Sequence, residues 1–177
     1  MKHAAISLAL ALAMTGANAE TNDGLRSELQ PLQFLIGACW AGQFPDGART
    51  DVHCYESVFE GMHLRDRHAV TGGATTYRGE TVYSWSGDRQ TIAYVYWNSY
   101  GGVSTGTATP DSGKIAFPDE SYTGPNGATI TISSSWENIT ADGYDSISVE
   151  TGPDGTRKER KVRYRKLPFA GDPLDAL

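Results

Sequence analysis

Short turn sequences punctuate this chain from Phe44 onward, and no other feature limits the fold so strongly. Phe44-Pro45-Asp46-Gly47-Ala48-Arg49 joins a proline, which presets φ for the first turn position, to a glycine free to take positive φ. Glu60-Gly61, Thr71-Gly72-Gly73, Ser86-Gly87-Asp88, Tyr100-Gly101-Gly102 and Pro110-Asp111-Ser112-Gly113 repeat that chemistry. Gly124-Pro125-Asn126-Gly127, Asp142-Gly143 and Gly152-Pro153-Asp154-Gly155 continue it toward the end of the chain. Between the turns lie runs rich in Thr, Val, Ile, Tyr and Trp, over roughly 76–85, 91–98, 103–109, 114–117, 128–137, 144–151 and 156–166. Three more runs lie between Gly37 and Val70, making about ten strands with no helix among them. Such spacing predicts an all-β protein, an antiparallel up-and-down β-barrel, because closing the sheet removes its unpaired edges. No internal sequence repeat accompanies the turns, which sets aside a propeller or solenoid.

The stretch Gly37 to Val70 holds both cysteines and three of the four histidines. If Phe44 and Arg49 flank a four-residue loop, Cys39 falls opposite Cys54 across the first hairpin, within reach of a disulfide. If Glu60-Gly61 is a two-residue loop with Phe59 opposite Met62, His53 faces His68, Tyr55 faces Asp66 and Glu56 faces Arg65. Alternation then sorts these strands onto two faces. Trp40, His53, Tyr55, Phe59, Met62, Leu64, Asp66, His68 and Val70 share one face, which is mainly apolar and is assigned inward. Cys39, Cys54, Glu56, Val58, His63, Arg65 and Arg67 share the other. Extending the register to Val70 opposite Tyr77 puts Leu64 beside Tyr83 and Arg67 beside Glu80. Tyr77, Thr81, Tyr83 and Trp85 then join the inner face, and Glu56, Arg65, Arg67 and Glu80 form an outer ionic ladder. The run Tyr94-Val95-Tyr96-Trp97 is bulky on both faces, so its parity stays open.

The ends of the chain read differently. Residues 1–19 have the pattern of a signal peptide: Lys2 and His3, an apolar run from Ala4 to Met14, and Ala17-Asn18-Ala19 before Glu20. That run is shorter than the ~20 residues a membrane-spanning helix requires, and no later run is longer, so no transmembrane segment is expected. The expected location is the periplasm or the medium, where two cysteines default to one disulfide. Losing Lys2 with the leader moves the formal charge from -6 to -7, which argues against nucleic acid as a partner. Residues 20–36 are expected to form a short amphipathic helical cap on Leu25, Leu29 and Leu32, ended or kinked at Pro31. The barrel domain is placed at 37–166, and 167–177 is expected to be an extended tail. The basic last run, Arg157 to Lys166, reads as a solvated outer face with edge-protecting Lys and Arg rather than an anion-binding patch.

Two features suggest what the interior does. The run Gly102 to Thr109 is nearly all small residues, which would leave space along one wall. His53, His68, Asp66 and Tyr55 are polar groups set among Trp40, Phe59, Leu64 and Tyr83. An imidazole beside a carboxylate suits a general base, or it can hold the polar end of a ligand in an apolar cavity. His63 and His68 are five apart and point to opposite faces, which leaves only His53 and His68 with Asp66 as third ligand, and no metal site is assigned. No nucleophile elbow, phosphate loop or H-E-x-x-H sequence occurs. Asn138-Ile139-Thr140 matches a glycosylation sequon, a triplet that arises often by chance.

Phe34-Leu35-Ile36-Gly37, Cys39-Trp40-x-Gly42, Glu56-x-x-Phe59-x-Gly61, Tyr77-x-Gly79 and Tyr96-Trp97-Asn98-Ser99 together resemble uncharacterised exported bacterial proteins of the calycin-like type. Those are similar to lipocalins and, more remotely, to nitrobindins. The resemblance covers mainly residues 34–109 and implies a closed barrel with an inner cavity. It carries no activity, and haem chemistry does not transfer, since nitrobindins use a late histidine and none follows His68 here. No cofactor is therefore expected. The expected function is binding of a small, partly apolar molecule, with Trp40, Tyr83 and Trp97 packing on it and His53, Asp66, His68 and Tyr55 at its polar end. The alternatives are a hydrolase or isomerase using the His/Asp pair, and a structural envelope protein whose barrel is filled by its own side chains.

Overall fold

In the computed structural model the described residues are 24–123, 127, 129–168 and 173–174. The expected leader, residues 1–19, lies outside them, as does most of the expected tail. Ten strands run in order: β1 (Ala38–Gln43), β2 (Thr50–Val58), β3 (His63–Thr71), β4 (Tyr77–Ser86), β5 (Thr91–Asn98), β6 (Val103–Asp111), β7 (Lys114–Thr123), β8 (Thr129–Thr140), β9 (Gly143–Thr151) and β10 (Arg157–Lys166). Each pairs antiparallel with its neighbours in sequence, and β1 pairs with β10 to close the barrel. The up-and-down barrel expected from the turns is the fold. No helix among the described residues is long and apolar enough to cross a membrane.

The first four strands take the register that the turn chemistry implies. Cys39 pairs with Cys54, His53 with His68, Tyr55 with Asp66, Leu64 with Tyr83 and Arg67 with Glu80. Cys39 and Cys54 form the disulfide. On the outer face the Arg65 guanidinium lies 2.6 Å from Glu56 and that of Arg67 3.7 Å from it. The β2–β3 turn departs from expectation at its flanks. Glu60 and Gly61 have φ of 58° and 84°, as a two-residue hairpin loop requires, but Phe59 also has a positive φ of 52°. That turn of the backbone takes the side chains off the inner face, so Phe59 is 78% exposed and Met62 44%.

The N-terminal cap is a 3₁₀ helix, Ser27–Leu35, and it runs through Pro31 instead of ending there. Leu29, Leu32 and Leu35 are all fully buried. A spacing of three aligns side chains along one edge of a helix with three residues per turn, so this stripe suits the tighter form. Proline inside the segment opposes a regular α-helical ladder, because it offers no N–H. The Arg26 N–H donates to the Gly61 carbonyl at 3.0 Å, which ties the cap to the β2–β3 turn. A Cβ on Gly61 would fall 2.3 Å from the Gly24 carbonyl oxygen, so glycine there permits the approach.

The cap seals one end of the barrel. Above it Trp40, Leu64, Ile92 and Ile115 are essentially inaccessible. An aromatic layer follows: Phe117 and Trp136 have ring centroids 4.8 Å apart, and Trp136 and Tyr144 5.3 Å. The β6–β7 ladder comprises three pairs, Thr109–Ala116, Pro110–Ile115 and Asp111–Lys114. Beyond them the β7–β8 register shifts between Phe117 and Glu120, where Pro118 has no N–H to offer a ladder. Strand β7 thus continues to Thr123, past the residue 117 at which the sequence pattern stops.

Candidate functional site

Strict alternation on β2 sends Asp51, His53 and Tyr55 inward, while β3 contributes Asp66 and His68 from directly opposite. Register on β4 and β5 brings Tyr77 and Tyr96 to the same level, and closure by β10 adds Tyr164. These side chains form a connected polar layer above the aromatic one. His53 Nδ1–H donates to the Asp66 carboxylate at 2.9 Å, and Nε2–H donates to Asp51 Oδ2 at 3.1 Å. His68 Nδ1–H donates to Asp51 Oδ1 at 3.0 Å, and its Nε2 lies 3.2 Å from the Tyr96 hydroxyl. The Tyr96 and Tyr77 hydroxyls are hydrogen-bonded to each other. The Tyr164 hydroxyl donates to Asp51 Oδ2 at 2.8 Å. Asp51 is thus the centre of the layer, accepting from two imidazoles and a phenol.

Burial alone would protonate Asp51, yet the imidazoles of His53 and His68 overcome it and hold the carboxyl well below the usual range. Burial would likewise strip the proton from His53. The carboxylates of Asp51 and Asp66 on either side reverse that and hold its imidazole protonated well above its usual range. Burial pushes up the phenols of Tyr55, Tyr83, Tyr144 and Tyr164, so they stay neutral. Tyr96 is raised by burial and by its bond to Tyr77. Glu120 is also raised by burial, although the Tyr94 hydroxyl that donates to it at 2.5 Å pulls the other way.

Above this layer the interior is open. A cavity of about 430 Å³ is bounded by Phe44, Val70, Tyr77, Tyr100, Tyr122, Ile130 and Ile132, with Asp51 and His68 also in its wall. A deeper chamber of about 250 Å³ reaches His53, Asp66, Tyr83 and Trp136. The two share Asp51, His68, Tyr96, Ser104, Glu120 and Arg160. The small-residue strand contributes to this space in a specific way. Gly106 lies under the Tyr94 phenol, where a Cβ would come within 2.3 Å of the hydroxyl oxygen, and Ser104 beside it faces the cavity.

The structure brings His53, Asp66, His68 and Tyr83 together around these chambers. Tyr55 lies a level lower, its hydroxyl 3.2 Å from that of Tyr144. Trp40 does not meet the cavity: it is fully buried at the sealed end, edge-on to Phe34, with its Nε1–H donating to the Leu35 carbonyl at 3.4 Å. Trp97 is 43% exposed and lines a surface groove with Arg67 and Arg78, because pairing of Thr81 with Tyr96 puts Tyr96 inside and its neighbour outside. The sequence reading missed Asp51, Tyr96, Tyr164, Glu120 and Arg160. Parity alone would have found Asp51, two residues before His53. Arg160 leans over the Phe44 ring, 4.8 Å from its centroid, so one residue of the basic last strand turns inward at the mouth. Lys161 and Arg163 of the same strand pair outside with Asp145, at 2.9 and 3.1 Å. A scan against models of known protein families finds no match to the chain, and a search of curated proteins finds none either.

Proposed function

We propose that this chain is an exported binding protein that holds a small, partly apolar molecule in the mouth-side half of its barrel. The observation that carries the reading is the cavity of about 430 Å³, its walls largely apolar and aromatic, with Asp51, His68 and Glu120 among its polar groups and Arg49, Glu150 and Arg160 also in its lining. That combination of an apolar lining with a few convergent polar groups is the usual character of a small-molecule site. A ligand would enter polar end first, meeting Asp51, His68 and Glu120, while Val70, Tyr77, Tyr122 and Ile132 pack on its apolar part. His53 and Asp66 hold the polar layer in place from below. Export rests on the leader pattern of residues 1–19 together with the Cys39–Cys54 bond. The likeness to calycin-type barrels supports the same reading.

Two other readings are weaker. A general base needs a lone pair open to substrate. His53 donates both ring N–H groups to carboxylates and stays protonated. His68, the other candidate, has Asp51 on one nitrogen and the Tyr96 hydroxyl on the other, with Asp66 bonded to His53 instead. A barrel filled by its own side chains describes the sealed half only, where Leu29, Trp40 and Tyr144 leave no exposed surface to speak of. Native mass spectrometry of the mature protein purified from its own host tests the proposal. A reproducible added mass that disappears on denaturation supports it. A bare native mass, with no binding of an environment-sensitive apolar dye such as anilinonaphthalene sulfonate, sinks it.

A further inference from the structure

Two carboxyls, one imidazole and one guanidinium border both chambers: Asp51, Glu120, His68 and Arg160. Three of the four are already met by hydrogen-bond partners within the fold. Asp51 accepts from His53, His68 and Tyr164, and His68 stands between Asp51 and Tyr96. Glu120 accepts from the hydroxyls of Tyr94 and Ser104. Arg160 is different. Among the described residues its side chain makes no ion pair and no hydrogen bond, and its guanidinium rests on the Phe44 ring instead. We propose that Arg160 takes the acidic group of the ligand, so that the molecule held in the barrel is an amphipathic organic acid. The inference rests on the ligand-binding reading and deepens it by giving the polar end of the ligand a charge.

Placement supports it. On β10 Arg160 shares a face with the buried Val162 and Tyr164, whereas its neighbour Lys161 turns outside to Asp145. Phe44 is itself buried, so the contact at 4.8 Å holds the guanidinium against a fixed ring and leaves its N–H edge for an acceptor. That edge matches a carboxylate, which accepts two parallel N–H bonds from such a fork. In line with Arg160 across the neighbouring strands stand Ser148 and then Ser134. Their short side chains leave room beside the guanidinium. Ser134 also lines the deeper chamber, and its hydroxyl has no side-chain partner among the described residues. Arg49 adds positive charge at the rim: it too meets the Phe44 ring, at 4.9 Å, while Asp46 holds it through Nε at 2.7 Å. The acids of the wall do not cancel this. Asp51 faces a protonated His53, Glu150 pairs with Lys158 across the β9–β10 ladder, and burial moves Glu120 toward its neutral form.

Decanoate, decanol and decylamine share one chain length and differ in charge, and calorimetry of the full mature protein with each tests the assignment. Anilinonaphthalene sulfonate, followed by fluorescence, serves as a second acid. Decanoate should bind about tenfold or more tighter than decanol or decylamine. Arg160→Gln, checked for folding by circular dichroism, should bring decanoate down to the level of decanol and weaken the dye roughly tenfold, with decanol unchanged. Added salt should weaken decanoate only in the protein that keeps Arg160. Lys161→Gln, on the outer face of the same strand, should leave every affinity as it was. Decanol or decylamine binding as tightly as decanoate overturns the inference. So does an Arg160→Gln protein that loses stability but keeps its affinity for both acids, since Arg160 would then be a counter-charge for Asp51 and Asp66. Either result leaves the cavity reading standing. A bare native mass, with no binding of the dye or of any decyl compound, removes both.

Discussion

The imidazoles of His53 and His68 lie face to face across the β2–β3 pair, ring centroids 4.6 Å apart and planes within 13° of parallel. Room for the stack comes from the next strand, β4. Gly79 pairs with His68, and a Cβ there would sit 2.3 Å from His68 Nε2 and 2.6 Å from the Tyr96 hydroxyl. Both of those side chains are held by hydrogen bonds, so neither can give way without breaking one. Gly79→Ala should therefore cost about 1–3 kcal/mol. Urea unfolding reads the loss, and the ring ¹H–¹⁵N spectrum of His68 should move with it. An unchanged spectrum and midpoint would mean that the layer is loose.

Asp145 is the place where acid should be felt outside the barrel. Its carboxylate accepts from Lys161 at 2.9 Å, from Asn138 at 2.8 Å and from Arg163 at 3.1 Å. Chiefly through Lys161, these lower its pKa to about 2. A carboxyl depressed on folding adds stability that is complete above its unfolded pKa and is lost as pH falls through the folded one. Asp145→Asn should thus destabilise by about 1 kcal/mol at neutral pH, a figure reduced for the exposed Lys161 partner. The gap between the two proteins should close from about pH 4 down to about pH 2. A gap that stayed constant over that range would assign the effect to the amide's hydrogen bonding and not to charge.

The Cys39–Cys54 bond spans 15 residues and joins β1 to β2. Closing a loop of that size in the unfolded chain is worth about 3 kcal/mol. The double replacement Cys39→Ser with Cys54→Ser should lower the free energy of chemical unfolding by that amount while leaving the far-ultraviolet dichroism of the folded protein unchanged. A drop well below 1 kcal/mol would show that the hairpin turn already holds the pair together.

Filling the upper cavity should separate binding from stability. Ile132 borders the open chamber, away from the sealed end where Leu29 and Trp40 pack. Ile132→Trp should reduce binding of anilinonaphthalene sulfonate, or of the molecule captured from the host, by at least about tenfold with little change in Tm. Trp97→Ala, on the exposed face, should leave the same affinity untouched. Equal effects from the two variants would place the bound molecule outside the barrel.

How much of this could be read without coordinates depends on which contacts are local. The pairings Cys39–Cys54, His53–His68 and Leu64–Tyr83 follow from short turns and a side-chain period of two, and each involves neighbouring strands. Phe59 escaped that logic because one positive φ beside the turn removes its side chain from the alternation. Trp97 and Tyr96 could not be sorted, since both faces of their strand carry bulk and only the partner Thr81 tells them apart. Trp40 was legible as an inward residue but not as part of the sealed end, because its level depends on where the 3₁₀ helix docks.

The sequence by itself determined the strands, their order, the disulfide and the inward placement of His53, Asp66 and His68. Turn residues and alternation act between positions close along the chain, so they are written in it directly. Only the tertiary structure decided that Tyr164, 113 residues away, would bond to Asp51, and that the two imidazoles would converge on that carboxylate. It also decided that Trp40, Phe117, Trp136 and Tyr144 would pack together in one half of the barrel while Phe44, Tyr77, Tyr100 and Tyr122 line an open space in the other. Those outcomes depend on closure between β1 and β10 and on the tilt and stagger that closure imposes, which belong to the ring of strands as a whole and not to any hairpin within it.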